Sequence, residues 1–413
     1  RDGGKAMKNN KIVTKLFAGV MALSLCVGAT STVASHVTAA PADGAKTVAI
    51  TKELDIAEGI QTPKAAFTFN FEQKQGDAVA INPVTLKFAE GEAAADGKIV
   101  KESTDILADV TWPHAGVYAY EVTEAAGAED IDNGNGTGKM SYDDSKYLLQ
   151  VWVVNGENGP EVDKAIVEKE GTDGEEGTKV EAKPSTDDQK PNTDDSDDKT
   201  NTSTEATGND FRFVNTYTKN GGGTDPVVPD KPEPGTDDPD ANQYALKISK
   251  AVTGATGDLT KRFEFNLNMT FPETSDVTTA TGYIYGADGF VEEVTFDGGN
   301  GTFALANDQY LTFKELPAGT TYTVTETAYD AYQAKVDVTS NAETSNITGN
   351  KNEGVTATGL VGEKVNSAAV TNEHDETSVT PAGILVNNLP YIALIVVAIA
   401  GCAVIVLGKK RRA

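Results

Sequence analysis

Three residue types that can react with one another recur in the same order twice along the chain. Lys52, Glu124 and Asn215 form the first set; Lys250, Glu326 and Asn372 form the second. Each lies in a short run where apolar residues alternate with polar ones. Side chains two residues apart on a strand share a face. Lys52 is in phase with Val48 and Ile50, Glu124 with Tyr118, Tyr120 and Val122, and Asn215 with Phe211 and Phe213. Lys250 is in phase with Leu246 and Ile248, Glu326 with Tyr322 and Val324, and Asn372 with Ala368 and Val370. All six are therefore expected to face a core. A lone buried Lys or Glu is costly and rare. Desolvation lowers the pKa of an amine and raises that of a carboxyl, so both can become neutral. A neutral amine is a nucleophile, and a protonated carboxyl can donate to a carboxamide oxygen. The chemistry that fits is attack of Lys Nζ on Asn Cγ, with Glu moving the protons and ammonia leaving. The product is an intramolecular isopeptide bond between a first and a last strand. An ordinary core-edge ion pair beside a capped Asn is the alternative reading of each trio.

The elements that must position these groups read as all-β. Runs rich in Val, Thr, Tyr and Phe are broken by Gly, Asp and Asn, and Phe67–Phe71 and Phe263–Leu267 alternate with period two. No long helical periodicity competes. The spacing supports a repeat: 72 residues separate Lys52 from Glu124, and 76 separate Lys250 from Glu326. The next interval is 91 residues in the first set and 46 in the second. An acidic, apolar-poor insert at about 168–209 accounts for the excess, and its composition predicts disorder. The expected organisation is a β-sandwich over 43–219, a Gly/Pro-rich linker over 220–243 and a second sandwich over 244–376. The linker holds Gly221-Gly222-Gly223 and five prolines and is expected to be extended and semi-rigid.

The ends read as export and anchoring signals. Residues 1–42 are expected to hold a few upstream residues and a signal peptide starting at Met7. Lys8, Lys11 and Lys15 precede the apolar stretch Leu16 to Ala29, and small residues follow around Ala39 and Ala40. An uncleaved membrane anchor is the alternative. Residues 377–413 hold Val379-Thr380-Pro381-Ala382-Gly383, the uncharged apolar run 391–408 and the basic tail 409–412. That run is long enough to span a bilayer, with the basic tail on the cytoplasmic side. Motif, span and tail resemble the cell-wall sorting signal read by sortases, with Ala382 where Thr is usual. The resemblance implies cleavage after Ala382, a thioester to the sortase, and only a transient membrane stage. A simple membrane-anchored protein is the alternative.

Composition narrows the function classes. The two cysteines, Cys26 and Cys402, fall in the segments expected to be removed or embedded, so the exported part has no disulfide. Beyond the leader only His114 and His374 remain, which leaves no His/Cys metal site. No phosphate loop, nucleophile elbow or zinc-protease motif occurs. No cofactor and no metal are expected. The net charge of −27 argues against nucleic-acid binding and suits an exposed surface protein.

The opening strands Val48–Lys52 and Leu246–Lys250, the Tyr-containing strands ending at Glu124 and Glu326, and the closing strands around Asn215 and Asn372 resemble a known family. They are similar to the isopeptide-forming, Ig-like domains of streptococcal-type pilin backbones and to collagen-adhesin B-type modules. The resemblance implies Lys52–Asn215 and Lys250–Asn372 bonds, with Glu124 and Glu326 catalytic for the chain's own crosslinks rather than for an external substrate. It also implies a pilus shaft subunit, secreted and covalently attached to the wall. Its expected partners are pilus-type and housekeeping sortases, other copies of the chain, peptidoglycan, and tip and base pilins. The lysine joining subunits is expected at Lys219, because Tyr217-Thr218-Lys219-Asn220 resembles a pilin motif with Thr218 in place of Pro. Lys183 and Lys190 are alternatives, and a solvated linker lysine is the plainer reading of Lys219. A wall-anchored adhesin or minor pilin is the alternative function.

Overall fold

The structure is a computed structural model, and it describes residues 44–125, 138–171, 177–184, 208–223, 231–238 and 241–375. The leader, the motif at 379–383, the apolar run 391–408 and Lys190 lie outside the described residues. No helix among the described residues is long and apolar enough to cross a membrane. The chain divides into two compact units, one ending at Asn220 and one beginning at Gly221.

The first unit has ten strands: β1 (Thr51–Ile56), β2 (Ala65–Gln75), β3 (Val84–Phe88), β4 (Lys98–Glu102), β5 (Gly116–Glu124), β6 (Lys139–Ser141), β7 (Lys146–Gly156), β8 (Gly159–Lys169), β9 (Thr178–Val180) and β10 (Arg212–Thr218). They form a four-stranded sheet ordered β4-β1-β10-β6 and a six-stranded sheet ordered β3-β2-β5-β7-β8-β9. One core, including Ile50, Phe67, Phe69, Tyr120, Leu149 and Phe213, takes side chains from both sheets. β7 is buried on both faces from Tyr147 to Gln150, as suits its place between β5 and β8.

The second unit has eleven strands: β11 (Leu246–Thr253), β12 (Phe263–Thr270), β13 (Thr279–Gly286), β14 (Gly289–Asp297), β15 (Asn300–Leu305), β16 (Tyr310–Phe313), β17 (Thr321–Glu326), β18 (Gln333–Ser340), β19 (Glu343–Lys351), β20 (Val355–Leu360) and β21 (Ser367–Glu373). A seven-stranded sheet, β14-β13-β16-β11-β21-β18-β19, faces a four-stranded one, β15-β12-β17-β20. β12 alternates buried and exposed along its whole length, as its sequence predicts. Both units are all-β sandwiches.

In each unit the first and last strands are parallel neighbours: β1 beside β10, and β11 beside β21. All other strand pairs among the described residues are antiparallel. A parallel pair cannot be closed by a tight turn. Here the rest of the unit is the connection, so no short loop ties the two terminal strands together.

Two expectations need correction. The acidic insert does not begin at 168, because β8 runs to Lys169 and Thr178–Val180 pairs with it as β9. Ala182 and Asn209 are buried, and the Ala182 carbonyl accepts from Ala49 N–H at 2.9 Å. The cause is a small apolar cluster, since Val180 packs on the core and Ala182 joins it. Only residues 185–207 and 172–176 of the insert lie outside the described residues. The linker, likewise, is not a bare spacer where it is described. Gly221 and Gly222 donate backbone hydrogen bonds to Leu316 and Gly362. Gly222 has a φ of 73°, and a Cβ there would collide with the Tyr244 carbonyl. Further on, Gly235 N–H donates to Phe290 O at 3.0 Å and Phe290 N–H donates to Thr236 O at 2.7 Å. Asp238 pairs with Lys314 at 2.9 Å and accepts from the Tyr310 hydroxyl at 3.3 Å. Tyr310 belongs to an outer aromatic cluster with Tyr283, Tyr285 and Phe290.

Candidate functional site

Both trios come together. In the first unit Lys52 sits opposite Phe213 and Leu54 opposite Asn215 across the parallel β1–β10 pair. Lys52 and Asn215 are therefore diagonal neighbours, two residues apart in register, on one face. In the second unit Lys250 sits opposite Val370 and Val252 opposite Asn372, which is the same diagonal. The acid comes from the facing sheet in both. Glu124 on β5 lies opposite Phe69 of β2, and Glu326 on β17 lies opposite Phe265 of β12. The two sites share one register in two different sequences.

The first site is fully dressed. Glu124 Oε2 accepts from Lys52 Nζ at 2.7 Å, and Glu124 Oε1 accepts from Asn215 Nδ2 at 2.6 Å. The Lys52 and Glu124 side chains are 0% and 1% exposed. Asn215 Oδ1 accepts from the backbone N–H of Asp143 at 2.8 Å. One carboxylate oxygen thus faces the amine and the other faces the leaving group. A proton taken from the amine at one oxygen can be matched by a proton delivered to the departing nitrogen from the other.

The second site is sparser. Lys250 Nζ is 3.2 Å from Glu326 Oε1, and the same oxygen accepts from Asn372 Nδ2 at 2.8 Å. The amine is near the carboxyl but not aligned to donate to it. Lys250 Nζ, Glu326 Oε2 and Asn372 Oδ1 are buried without a hydrogen-bond partner among the described residues. Unpartnered buried polar atoms are costly, and the cost falls if the acid holds a proton.

An aromatic ring closes each site. Lys52 Nζ is 4.7 Å from the centroid of the Phe67 ring, and Lys250 Nζ is 4.3 Å from that of Phe263. These are equivalent positions, since each is the first Phe of a Phe-x-Phe run. The repeated Phe-x-Phe was visible in the sequence; its role over the amine was not.

Burial sets the electrostatics. It pulls Lys52 down to about 8, against the opposing pull of Glu124, and it pulls Lys250 down to about 8 against Glu326. It pushes Glu124 and Glu326 up, against the opposing effect of the lysines. Between 10.5 and about 8 the neutral amine fraction at pH 7 rises roughly two- to three-hundredfold. The sign for reaction follows. At acid pH the carboxyl is protonated and the amine is an ammonium, so attack stops. As pH climbs through the raised carboxyl range and on toward 8, the pair sheds a proton and a neutral amine becomes available. Crosslinking of chain refolded from denaturant should therefore speed up from pH 5 to pH 8, followed by intact mass on quenched samples. A rate that is flat across that range would contradict this assignment.

The outer face of β1 carries a second ionic group that the sequence reading missed. Glu53 is 5% exposed and pairs with Arg212 and, at 3.1 Å, with Lys98. Burial and the neighbouring Glu53 raise Asp55 to about 6. This cluster explains why β1 is buried on both faces. No grouping of three or more His, Cys, Asp or Glu side chains positioned for a metal occurs among the described residues. Lys219 follows β10 and is half-buried, whereas Lys183 is exposed.

Residues 48–218 match the family described as Spy0128-like isopeptide containing domain. Residues 244–359 match a family described as a domain of unknown function, DUF7601. A protein named "Pilin" from Streptococcus pyogenes serotype M1 is 26% identical over 396 residues, covering 90% of this chain and 92% of that protein. The pilus tip adhesin Cpa of Streptococcus pyogenes is 33% identical over 94 residues, which is 23% of this chain and 13% of the adhesin. The crystal structure of the major pilin from Streptococcus pyogenes aligns with a TM-score of 0.32 at 22% identity, covering 80% of this chain and 98% of that one. Residues 48–218, in which a lysine, an acid and an asparagine meet across the terminal strands, are thus similar to the Spy0128-like isopeptide containing domain, and most of the chain is similar to a streptococcal pilin.

Proposed function

We propose that the chain is a structural subunit of a cell-surface pilus whose two sandwiches are each locked by a Lys–Asn isopeptide bond. The observation that carries this reading is the repetition of one buried Lys, Glu and Asn arrangement, in one register, on the terminal strands of both units. A load applied along such a unit reaches the first and last strands directly. A covalent link between them bypasses the ladder and sends the load through bonds that do not unzip. In the reaction the Lys Nζ lone pair attacks Asn Cγ. The Nζ–Cγ bond forms, the Cγ–Nδ2 bond breaks, and the nitrogen leaves as ammonia. Glu takes a proton from Nζ and delivers one to Nδ2. No external reactant is needed.

In this reading a sortase joins Ala382 of one copy to Lys219 of the next, giving an open fibre of head-to-tail contacts. Housekeeping sortase then attaches the fibre to peptidoglycan. An adhesin reading has less behind it, because the similarity to a tip adhesin spans a small part of that protein. Wall extracts probed with an antibody to the chain should give a high-mass ladder. Lys219→Arg, which keeps the charge but removes the amine, should collapse the ladder to monomer. A single band from wild type would remove the polymer reading, and an unchanged ladder from the variant would move the joint to another lysine.

A further inference from the structure

The two sites differ at the carbonyl that must accept charge. In the first unit Asn215 Oδ1 accepts the Asp143 backbone N–H, while in the second the buried Asn372 Oδ1 has no partner among the described residues. The Asp143 N–H is held in place from both sides. Asp143 Oδ2 accepts from Val214 N–H at 2.7 Å, next to the reacting Asn, and Asp143 Oδ1 accepts from Ser145 N–H at 2.8 Å. β6 pairs with β10 through Ser141 opposite Thr216. The chain then leaves the ladder, and Asp143 bonds to β10 by its side chain and to the Asn215 carboxamide by its main chain.

From this geometry we infer that the Asp143 main-chain N–H is an oxyanion donor for bond formation in the first unit, and that the second unit reacts without one. The inference rests on the isopeptide reading above. When Lys52 Nζ attacks Asn215 Cγ, the carbonyl π electrons move onto Oδ1. A donor already aligned with that oxygen stabilises the charge as it develops and needs no reorganisation. The electrons return as the Cγ–Nδ2 bond breaks and ammonia departs with the proton supplied by Glu124. The Asp143 carboxylate does not touch a reacting atom; it is a positioning group that anchors its own N–H to β10. In the second unit the carbonyl can be polarised only by the acid itself. Glu326 has an oxygen, Oε2, without a partner among the described residues, and it can carry the proton for that purpose. The first unit should therefore close before the second.

The test replaces the residue-143 amide by an ester, through incorporation of the α-hydroxy analogue of aspartate in the full chain. This deletes the donor and keeps the side chain. Chain taken up in denaturant before the bonds form is refolded, quenched at intervals, and digested. The Lys52–Asn215 and Lys250–Asn372 branched peptides are then counted separately. The ester should slow the first bond about a hundredfold, on the order of the loss seen when one oxyanion donor is removed. The second bond, in the same molecules, should form at its wild-type rate, and the first unit should regain its wild-type near-ultraviolet circular dichroism, which shows that both units have folded. In wild type the first branched peptide should appear ahead of the second. Equal rates for the first bond with amide and ester would overturn the inference while leaving the crosslink itself intact. Absence of the Lys52–Asn215 peptide from wild type would instead overturn the reading beneath it.

Discussion

Glu124→Ala should leave the Lys52–Asn215 ammonia in place and lower the melting temperature of the first unit by roughly 10–20 °C. The bond closes a loop of roughly 160 residues, and a covalent closure of that length is worth about 5 kcal/mol by the chain-entropy estimate used for disulfides. One kcal/mol moves the midpoint of a domain of this size by about 2–4 °C. The substitution does a second thing. It leaves Lys52, fully buried beside Phe67, without its carboxylate, and an unpaired buried charge destabilises in its own right. Asn215→Ala separates the two effects. It removes the electrophile but keeps the Lys52–Glu124 pair at 2.7 Å, so its loss of melting temperature reports mainly the missing bond. Thermal melts paired with intact masses on both variants make the check. A Glu124→Ala variant that keeps the mass loss would show that the acid is not the relay. Variants that lose it without losing stability would show that the bond is not what holds the unit.

The second large effect comes from the ring over the amine. Phe263→Ala should slow closure of the second unit by at least about tenfold and lower its stability by about 3–5 kcal/mol. The stability loss is the ordinary cost of emptying a core position, since Phe263 is fully buried among Phe265, Leu305 and Tyr332. The kinetic loss has another cause. Burial is what brings Lys250 down to about 8, and a cavity that admits water lets the amine return toward 10.5 and stay protonated. Phe263→Leu, which refills most of the space with apolar atoms, should restore most of the rate. Counting the Lys250–Asn372 branched peptide against time separates the two variants. Equal rates for Ala and Leu would mean that dryness at this position is not what activates the amine.

The sequence carried the parts of this arrangement that local periodicity can encode. β12, β17 and β21 alternate buried and less buried residues, so the phases of Glu326 and Asn372 could be read directly. The Phe-x-Phe runs were equally plain. What stayed hidden was set by distant partners. Asp143 lies in a polar Asp-Asp-Ser stretch that reads as a turn, and its bond to Asn215 spans 72 residues. The other face of β1 was also hidden, because Glu53 is buried by Lys98 and Arg212 brought in from two other strands. Within the acidic insert, three residues became a strand because Val167 and Val180 found each other across β8 and β9. Composition averages over such a short apolar contact. The prolines near 232–239 read as a spacer, yet Gly235 and Thr236 exchange main-chain hydrogen bonds with Phe290 beside a cluster of tyrosines that alternation alone does not separate from the core.

Intact mass of the purified protein under denaturing conditions bears on the covalent lock most directly. A wild-type chain lighter than its sequence by two ammonias, with branched peptides joining 52 to 215 and 250 to 372, is what these buried trios require. A chain at its full sequence mass would mean that the lysine, acid and asparagine of each trio remain three separate side chains with no covalent link.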